Sequence, residues 1–201
     1  MIILGIDPGT AALGFGVVER NGGLRALDHG CQTTPADVGL PARLLALHAT
    51  VLELIDLYAP ELVAVERVFF SRNAQTAFAV GQARGVVLLA AAERDLPVVE
   101  ATPSAIKIAV AGTGSADKDQ VAQMVARILG LPEAPVPDDA ADALAVAVWA
   151  AHTWPAGAVD GTGRLDLAAA VPARRGRSPF EAAVAAALRH EEGGDRRRRS
   201  R

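Results

Sequence analysis

Hydrophobic and polar positions alternate at strand spacing over the N-terminal part of the chain. This pattern predicts three strands, Ile2 to Asp7, Gly14 to Arg20 and Leu24 to Thr33. Asn21-Gly22 separates the last two strands and is a typical signal for a two-residue hairpin turn. We therefore expect an antiparallel meander at the start of the fold.

Helical and strand patterns alternate over the rest of the first 152 residues. The predicted elements are a helix from Leu40 to Tyr58, a strand from Glu61 to Glu66, an Ala-rich helix from Asn73 to Arg94 and a strand from Leu96 to Glu100. Three more helices follow, one opened by Thr102-Pro103, one from Ser115 to Leu129 and one from Asp138 or Asp139 to about Ala151. Residues 131–137 are expected to form a loop. The order predicts an α/β fold with a mixed five-stranded sheet and helices packed on it.

Composition narrows the class of protein. The chain has 201 residues with 51% hydrophobic content, which is ample for a sizeable core. The single cysteine, Cys31, excludes an internal disulfide framework and a cysteine-rich zinc site, and we expect it to be a core residue. The N-terminal MIILGID lacks a basic leader, so a soluble cytoplasmic protein is predicted.

Charge divides the chain into two regions. Residues 1–152 carry 10 Lys and Arg against 17 Asp and Glu, a net charge of −7, whereas residues 153–201 carry 10 against 6, a net charge of +4. The second region is rich in Ala, Gly, Pro and Arg and ends in RRRRSR, with one short helical candidate from Pro179 to His190. We predict one domain over residues 1–152 and a mostly disordered tail over residues 153–201. The arginine run is either a solvated terminus or a non-specific nucleic-acid arm.

Four carboxylates stand at positions that folding can bring together. Asp7 and Glu66 end two predicted strands, and Asp139 and Asp142 lie one turn apart on a predicted helix. Taken singly, each has an ordinary explanation, such as a turn, a solvated strand end or a helix N-terminus. Side chains at the carboxyl ends of strands project into the crevice where ligands bind, so together the four residues predict one acidic site.

Clustered carboxylates repel one another and raise one another's pKa unless a cation neutralises them. The chain has no histidine or cysteine cluster, so oxygen ligands suggest Mg²⁺ or Mn²⁺ rather than zinc. Spacing alone does not decide whether Asp138 or Asp139 pairs with Asp142. Residues four apart and residues three apart both lie on one helix face, so either aspartate could be the partner.

Four blocks of sequence occur in order, namely GIDPGT, LVAVERVFFSRNAQTAFAVGQARG, ATPSAIKIAVAGTGSADKDQV and DDAADALAVAV. Together these blocks resemble the RuvC family of bacterial Holliday-junction resolvases. The resemblance covers residues 1–152 and implies an RNase H-like fold, a homodimer and structure-selective cleavage of four-way DNA junctions in recombination and repair. It further implies nicks with 5′-phosphate and 3′-hydroxyl ends, and cooperation with the RuvA–RuvB branch-migration complex.

The resemblance also implies roles for individual residues. Asp7, Glu66, Asp139 and Asp142 match the ligands of two divalent ions, Mg²⁺ with Mn²⁺ as a substitute, and the register of the motif leaves Asp138 as a helix cap or outer acid. The DNA contacts implied by the family's pattern are Phe69, expected to stack on a base, and Arg72, Lys107 and Lys118. By pattern alone, the paired Phe69 and Phe70 are more typical of a core, and Lys107 and Lys118 are typical of solvated helix faces.

Gly81 and Gly85 interrupt the predicted Ala-rich helix, which is costly for a helix unless another backbone approaches closely. The family resemblance favours a dimer contact there, and tight packing within one subunit fits equally.

Three other functions share features with this sequence. They are an actin-like ATPase, for which a second phosphate turn and a duplicated domain are missing, a non-catalytic DNA-binding scaffold, and an RNase H or transposase relative with another nucleic-acid target.

Overall fold

The computed structural model describes residues 1–67 and 74–155, with side chains for all of these except residues 74–76. Its strands are Ile2–Asp7 (β1), Ala12–Arg20 (β2), Leu24–Thr33 (β3), Leu62–Glu66 (β4) and Val98–Ala101 (β5). Its helices are Leu40–Tyr58 (α1), Ala74–Glu93 (α2), Pro103–Ala111 (α3), Lys118–Leu129 (α4) and Asp138–Thr153 (α5). The predicted order of elements is confirmed.

The five strands form one mixed sheet in the order β3-β2-β1-β4-β5. The first three strands pair antiparallel as the predicted meander, whereas β4 pairs parallel with both β1 and β5. Parallel pairing places the carboxyl ends of β1 and β4 at the same edge of the sheet. Asp7 and Glu66 are the last residues of these two strands.

Helices cover both faces of the sheet, and the alternation of side chains along the strands supplies both cores. Ile3 and Val18 pack with α3, α4 and α5 on one face. Leu4 and Val17, their neighbours in the sequence, pack with α1 and α2 on the other face.

Two local predictions were wrong. The β2–β3 turn has three residues, 21–23, with Gly22 at a φ of 69°. Helix α4 begins three residues after Ser115, because the side chain of Asp117 accepts a bond from the amide of Gln120 at 2.8 Å and the Gln120 side chain accepts from the amide of Asp117 at 3.1 Å. This reciprocal pair of bonds satisfies two amides at the helix start that have no partner within the helix.

Helix α5 lies unusually close to β1 and β2 because the strand positions beneath it are glycines. A β-carbon added at Gly5 or Gly14 would overlap the carbonyl oxygens of Ala143 and Asp139, respectively, and one at Gly16 would lie 2.7 Å from the side chain of Leu144. Glycine is thus required for the helix to approach the sheet at this distance.

The far end of α5 is held by Arg20, whose guanidinium donates to the carbonyl oxygens of Ala151 at 2.6 Å and Trp154 at 2.9 Å. The helix continues to Thr153, one residue beyond the predicted domain boundary.

The predicted tail helix from Pro179 to His190 lies outside the described residues. Within the described part of the chain, no helix combines the length and the apolar character needed to cross a bilayer.

Candidate functional site

The sheet register aligns one row of residues across the strands at the edge where β1 and β4 end. Asp7 pairs with Gly14, and Gly14 pairs with Cys31 on the far side. On the near side, Ile6 pairs with Val65, which places Glu66 beside Asp7. The two strand-end carboxylates are therefore neighbours, as the sequence predicted.

The first turns of α5 lie over this row. Because Gly14 has no side chain, the backbone of Asp139 rests directly on it. The charges of both Asp139 and Asp142 act on Asp7, together with that of Glu66. Three segments distant in the sequence thus bring four carboxylates together.

A cavity of about 320 Å³ opens beside these side chains. Three of the four carboxylates line it, namely Asp7, Glu66 and Asp142. The remaining lining residues are two lysines and four apolar residues: Lys107, Lys118, Pro103, Ile106, Val121 and Ala145. The apolar residues carry no chemical signature, so sequence reasoning did not find them.

Burial and mutual repulsion make the carboxylates hard to ionise. Burial is the main cause that raises the pKa of Asp7 to about 7, and the charges of Glu66, Asp142 and Asp139 add to it. The pKa of Glu66 is also raised, chiefly by burial and then by Asp142. A positive charge placed among these groups would therefore be strongly stabilised.

Lys118 and Lys107 line the same cavity, so two of the four predicted DNA contacts are close to the carboxylates. The ammonium group of Lys118 donates to Oδ2 of Asp142 at 2.9 Å, and this bond raises the pKa of Lys118. The Lys118 side chain is still 68% exposed, which leaves it accessible to a phosphate. Nζ of Lys107 donates to the carbonyl oxygen of Ala116 at 2.6 Å and so links α3 to the segment before α4.

Cys31 is not a core residue, contrary to the prediction. It is only partly buried, and its Sγ lies 3.8 Å from Oδ2 of Asp139. Burial and the nearby charge of Asp139 raise the pKa of the thiol, so it stays protonated and donates to the carboxylate. Cys31 occupies the end of the row that contains Asp7, which only the pairing of β2 with β3 reveals.

The two neighbouring aspartates at the start of α5 have different surroundings. Asp138 is exposed to solvent, and the N-cap position belongs to Pro137, with no side-chain cap bond. Asp138 is therefore not a helix cap, which leaves the other predicted role, that of an outer acid whose charge acts on Lys118. Asp139 is partly buried and faces Cys31 and Asp7. The geometry favours the register that pairs Asp139 with Asp142.

The chemistry of these side chains suits a hard divalent cation, because every acidic group offers oxygen ligands and Asp7 and Glu66 are destabilised as anions. Among the described residues, no three acidic, histidine or cysteine side chains are grouped tightly enough to hold one ion. The contacts explain this, since Asp142 is turned to Lys118 and Asp139 to Cys31.

Two of the predicted DNA contacts, Phe69 and Arg72, lie outside the described residues, as does Phe70. Gly81 and Gly85 are exposed, and a β-carbon at either would meet nothing within 4 Å. Tight packing against described residues of the same chain therefore does not explain these two glycines.

Comparisons with known proteins agree on one family. The family model described as "Crossover junction endodeoxyribonuclease RuvC" matches residues 3–150. The chain is 58% identical over 149 residues to the protein of that name from Moorella thermoacetica, covering 74% of this chain and 89% of the relative. It is 55% identical over 154 residues to the one from Desulfitobacterium hafniense, covering 76% and 93%. Among solved structures, Thermus thermophilus RuvC in complex with Holliday junction substrate is 45% identical, with a TM-score of 0.72 and coverage of 75% and 93%.

Proposed function

This chain belongs to the RuvC family of crossover junction endodeoxyribonucleases, and we propose that it resolves Holliday junctions. In this proposal a homodimer makes paired symmetric nicks in four-way DNA and leaves 5′-phosphate and 3′-hydroxyl ends for a ligase. The observation that carries the proposal is the convergence of carboxylates from β1, β4 and α5 on one cavity that two lysines also line.

Asp7, Glu66, Asp139 and Asp142 are the residues that would hold two Mg²⁺ ions per subunit, with Mn²⁺ as a substitute. Such ions supply a water of lowered pKa and stabilise the charge on the departing oxygen. The protein contributes the rigid positions of the four carboxylates, fixed by two strand ends and one helix.

The lysines would hold the DNA backbone beside these carboxylates. Lys118, exposed and paired with Asp142, is placed to exchange this partner for a phosphate. Lys107 is more buried than Lys118 and is fixed by the carbonyl oxygen of Ala116. Phe69 and Arg72 complete the proposed contacts with the junction.

A second copy of the chain is the partner that fits the outer side of α2. Phe78 and Leu89 are exposed there, by 74% and 54%, and the open glycines Gly81 and Gly85 lie between them at helical spacing. A large apolar side chain of one copy can rest where the other has glycine. A four-way junction is nearly two-fold symmetric, so a C₂ dimer presents two identical sites to strands of like polarity.

Replacing Gly85 by Arg should convert the dimer to a monomer in sedimentation experiments and uncouple the two nicks. Gly23→Arg is a matched control, because Gly23 is exposed in the β2–β3 turn with open space around it. A dimer that survives the change at Gly85 argues for another interface.

Two further assignments rest on the family. The protein would act with the RuvA–RuvB branch-migration complex, and it would act in the cytoplasm, where bacterial chromosomal DNA lies.

The activity is tested by offering the purified protein and Mg²⁺ a synthetic four-way junction, a linear duplex and an RNA–DNA hybrid. We expect cleavage of the junction alone, no cleavage with EDTA, and products that a ligase seals directly. Cleavage of only the hybrid would point to an RNase H activity. Binding of the junction without cleavage would point to a non-catalytic scaffold.

A further inference from the structure

The turn that follows Asp7 is held by residues from outside it. Residues 8–11 connect β1 to β2 at the edge of the sheet where the carboxylates lie. Thr34, the first residue after β3, donates its amide to the carbonyl oxygen of Ala11 at 2.9 Å and its hydroxyl to that of Thr10 at 2.5 Å. It is 8% exposed and is the one buried polar residue in the described part of the chain. Its hydroxyl therefore depends on partners within the protein.

Arg43 completes this arrangement from near the start of α1. Its Nε donates to the Thr34 hydroxyl at 2.8 Å, and its Nη2 donates to the carbonyl oxygen of Thr10 at 2.6 Å. One edge of the guanidinium thus binds two neighbouring oxygens, and the Thr10 carbonyl accepts two bonds, which uses both of its lone pairs. We call Arg43, Thr34 and Thr10 the turn clamp. It joins α1, the end of β3 and the β1–β2 turn.

The turn clamp depends on the shape of arginine. Arg43 has no acidic partner among the described residues, so neutral oxygens hold its guanidinium. A lysine would keep the charge, but its ammonium group lacks the planar fork that spans the two oxygens. The charge of Arg43 does not act on Asp7, whose pKa is shifted by burial, by three carboxylates and by Lys118. Any influence of Arg43 on Asp7 therefore passes through the backbone.

We propose that Arg43 is a positioning residue for cleavage, which fixes the turn after Asp7 and, through this turn, the place of the Asp7 carboxylate. The inference rests on the proposed function, because it takes Asp7 as a metal ligand. Strand β1 ends at Asp7, so its pairing with Gly14 is the last contact of the β1–β2 ladder. Past this pair, Thr34 and Arg43 supply the hydrogen bonds that tie the turn to the rest of the described chain.

Arg43→Lys tests the turn clamp in the full-length protein. We expect the single-turnover rate on a four-way junction at saturating Mg²⁺ to fall about 10-fold to 100-fold, because displacing a catalytic group by about 1 Å costs about 10²-fold. Affinity for the junction, measured in EDTA, should be unchanged. An undiminished rate in Arg43→Lys overturns the inference and leaves the proposed function standing, whereas an unmodified protein that does not cut the junction overturns both.

Hydrogen exchange supplies a readout that does not depend on cleavage. In Arg43→Lys the amide of Thr34 should exchange faster, because the carbonyl oxygen of Ala11 that accepts from it belongs to the loosened turn. Slower cleavage without faster exchange would overturn the role of the turn.

Arg20→Lys is the matched control. The guanidinium of Arg20 also donates to two backbone carbonyl oxygens, but at the end of α5 opposite to the carboxylates. This variant should lower the thermal midpoint and leave both the exchange of the Thr34 amide and the cleavage rate unchanged. If it slows cleavage as much as Arg43→Lys does, the loss reflects general stability and the inference is overturned.

Two variants of Thr34 separate the hydrogen bonds from packing. Thr34→Val keeps the shape of the side chain and removes the hydroxyl, whereas Thr34→Ser keeps the hydroxyl. Thr34→Val should slow cleavage as Arg43→Lys does, and the double variant should be little slower than either, because both changes break one network. Thr34→Ser should retain most of the rate. Equal rates in the two Thr34 variants, or losses that multiply in the double variant, overturn the turn clamp.

Discussion

Asp7 is the residue whose pKa is raised by both burial and charge repulsion. Its pKa is raised to about 7, against about 3.9 for an aspartate in an unfolded chain. Between these two values the native protein holds a proton that the unfolded chain has released. The free energy of unfolding of the metal-free protein therefore falls as the pH rises from about 4 to about 7.

Asp7→Asn removes this penalty, so we expect it to stabilise the metal-free protein at pH 8 while abolishing cleavage. The gain should be on the order of 2 kcal/mol, which raises the thermal midpoint of a chain of this size by about 4–8 °C. It should be smaller at pH 5, which is only about one unit above the pKa of the unfolded aspartate, and it should vanish below about pH 4, where both states hold the proton. Thermal unfolding in EDTA at the two pH values measures both effects.

The exposed Asp138 supplies the control for this measurement, since Asp138→Asn changes the same chemical group outside the cavity. Its midpoint should differ little from that of the unmodified protein at either pH. A gain for Asp7→Asn that is as large at pH 5 as at pH 8 would contradict the assignment to charge.

Asp138 and Asp139 also provide a direct test of the site. Asp139→Asn should reduce the single-turnover rate on a four-way junction by at least 10²-fold, whereas Asp138→Asn should leave most of the activity. The reason is that Asp139 faces Asp7 and Cys31, and Asp138 faces solvent. The reverse result would show that the motif register is shifted by one residue.

Residues with a chemical role were predictable where local sequence fixes their direction. Asp7 and Glu66 end apolar strands, so their place at the sheet edge follows from the strand pattern. Cys31 was misjudged because its role depends on the register between β2 and β3, which includes an irregularity between Val17 and Val18. No local pattern contains that information.

At the scale of elements, the site depends on how closely α5 approaches the sheet. The helix is anchored by Gly5, Gly14 and Gly16 beneath it, and it carries two of the four carboxylates. A change in its height above β2 would move Asp139 and Asp142 away from Asp7. The glycines of the strands are thus part of the site, although they contribute no reactive group.

Gly14→Ala tests this dependence, because the added methyl group overlaps the carbonyl oxygen of Asp139. We expect a loss of about 1–3 kcal/mol in the free energy of unfolding, as in other overpacked positions. We also expect a fall in the cleavage rate of about 10²-fold, since displacing a catalytic group by about 1 Å has that effect. Chemical denaturation and single-turnover kinetics report the two quantities separately.

Gly23→Ala is the control for Gly14→Ala, because it adds the same methyl group on an exposed turn with nothing within 4 Å. Its stability and cleavage rate should stay close to those of the unmodified protein. Full activity of Gly14→Ala would show that α5 can rise without consequence for the carboxylates.

Element boundaries were predictable where one signal stood alone. Thr102 before Pro103 marked the start of α3 correctly, and its side chain accepts from the amide of Ala105 at 3.1 Å. The start of α4 was misplaced because Ser115 and Asp117 are both capping residues two positions apart. Only the reciprocal bonds between Asp117 and Gln120 decide between them.

At the scale of the whole molecule, the net charge of the first 152 residues opposes the binding of DNA, the expected partner. Residues 1–152 carry a net charge of −7, which two divalent ions would reduce to −3, and a polyanion such as DNA is still repelled at long range. Residues 153–201 carry a net charge of +4. The mixed five-stranded sheet followed from the alternation of strand and helix patterns, but the sequence does not reveal how this terminal charge is used.

If the C-terminal region is a nucleic-acid arm, removing it should weaken non-specific DNA binding. The truncation is best placed after Pro155, because the carbonyl oxygen of Trp154 still accepts from Arg20 and the end of α5 is then preserved. The salt dependence of duplex affinity should become shallower, by about 0.9 in the logarithmic slope for each phosphate that the arm would otherwise neutralise. Junction cleavage at low salt should persist, because every carboxylate of the site remains.

A full-length variant in which the five arginines of RRRRSR are replaced by glutamine separates charge from length. It should reproduce most of the shallower salt slope, since counterion release depends on cationic side chains. Fluorescence anisotropy with a labelled duplex across a series of salt concentrations gives the slope for all three proteins. Identical slopes would show that this terminus is an inert, solvated end.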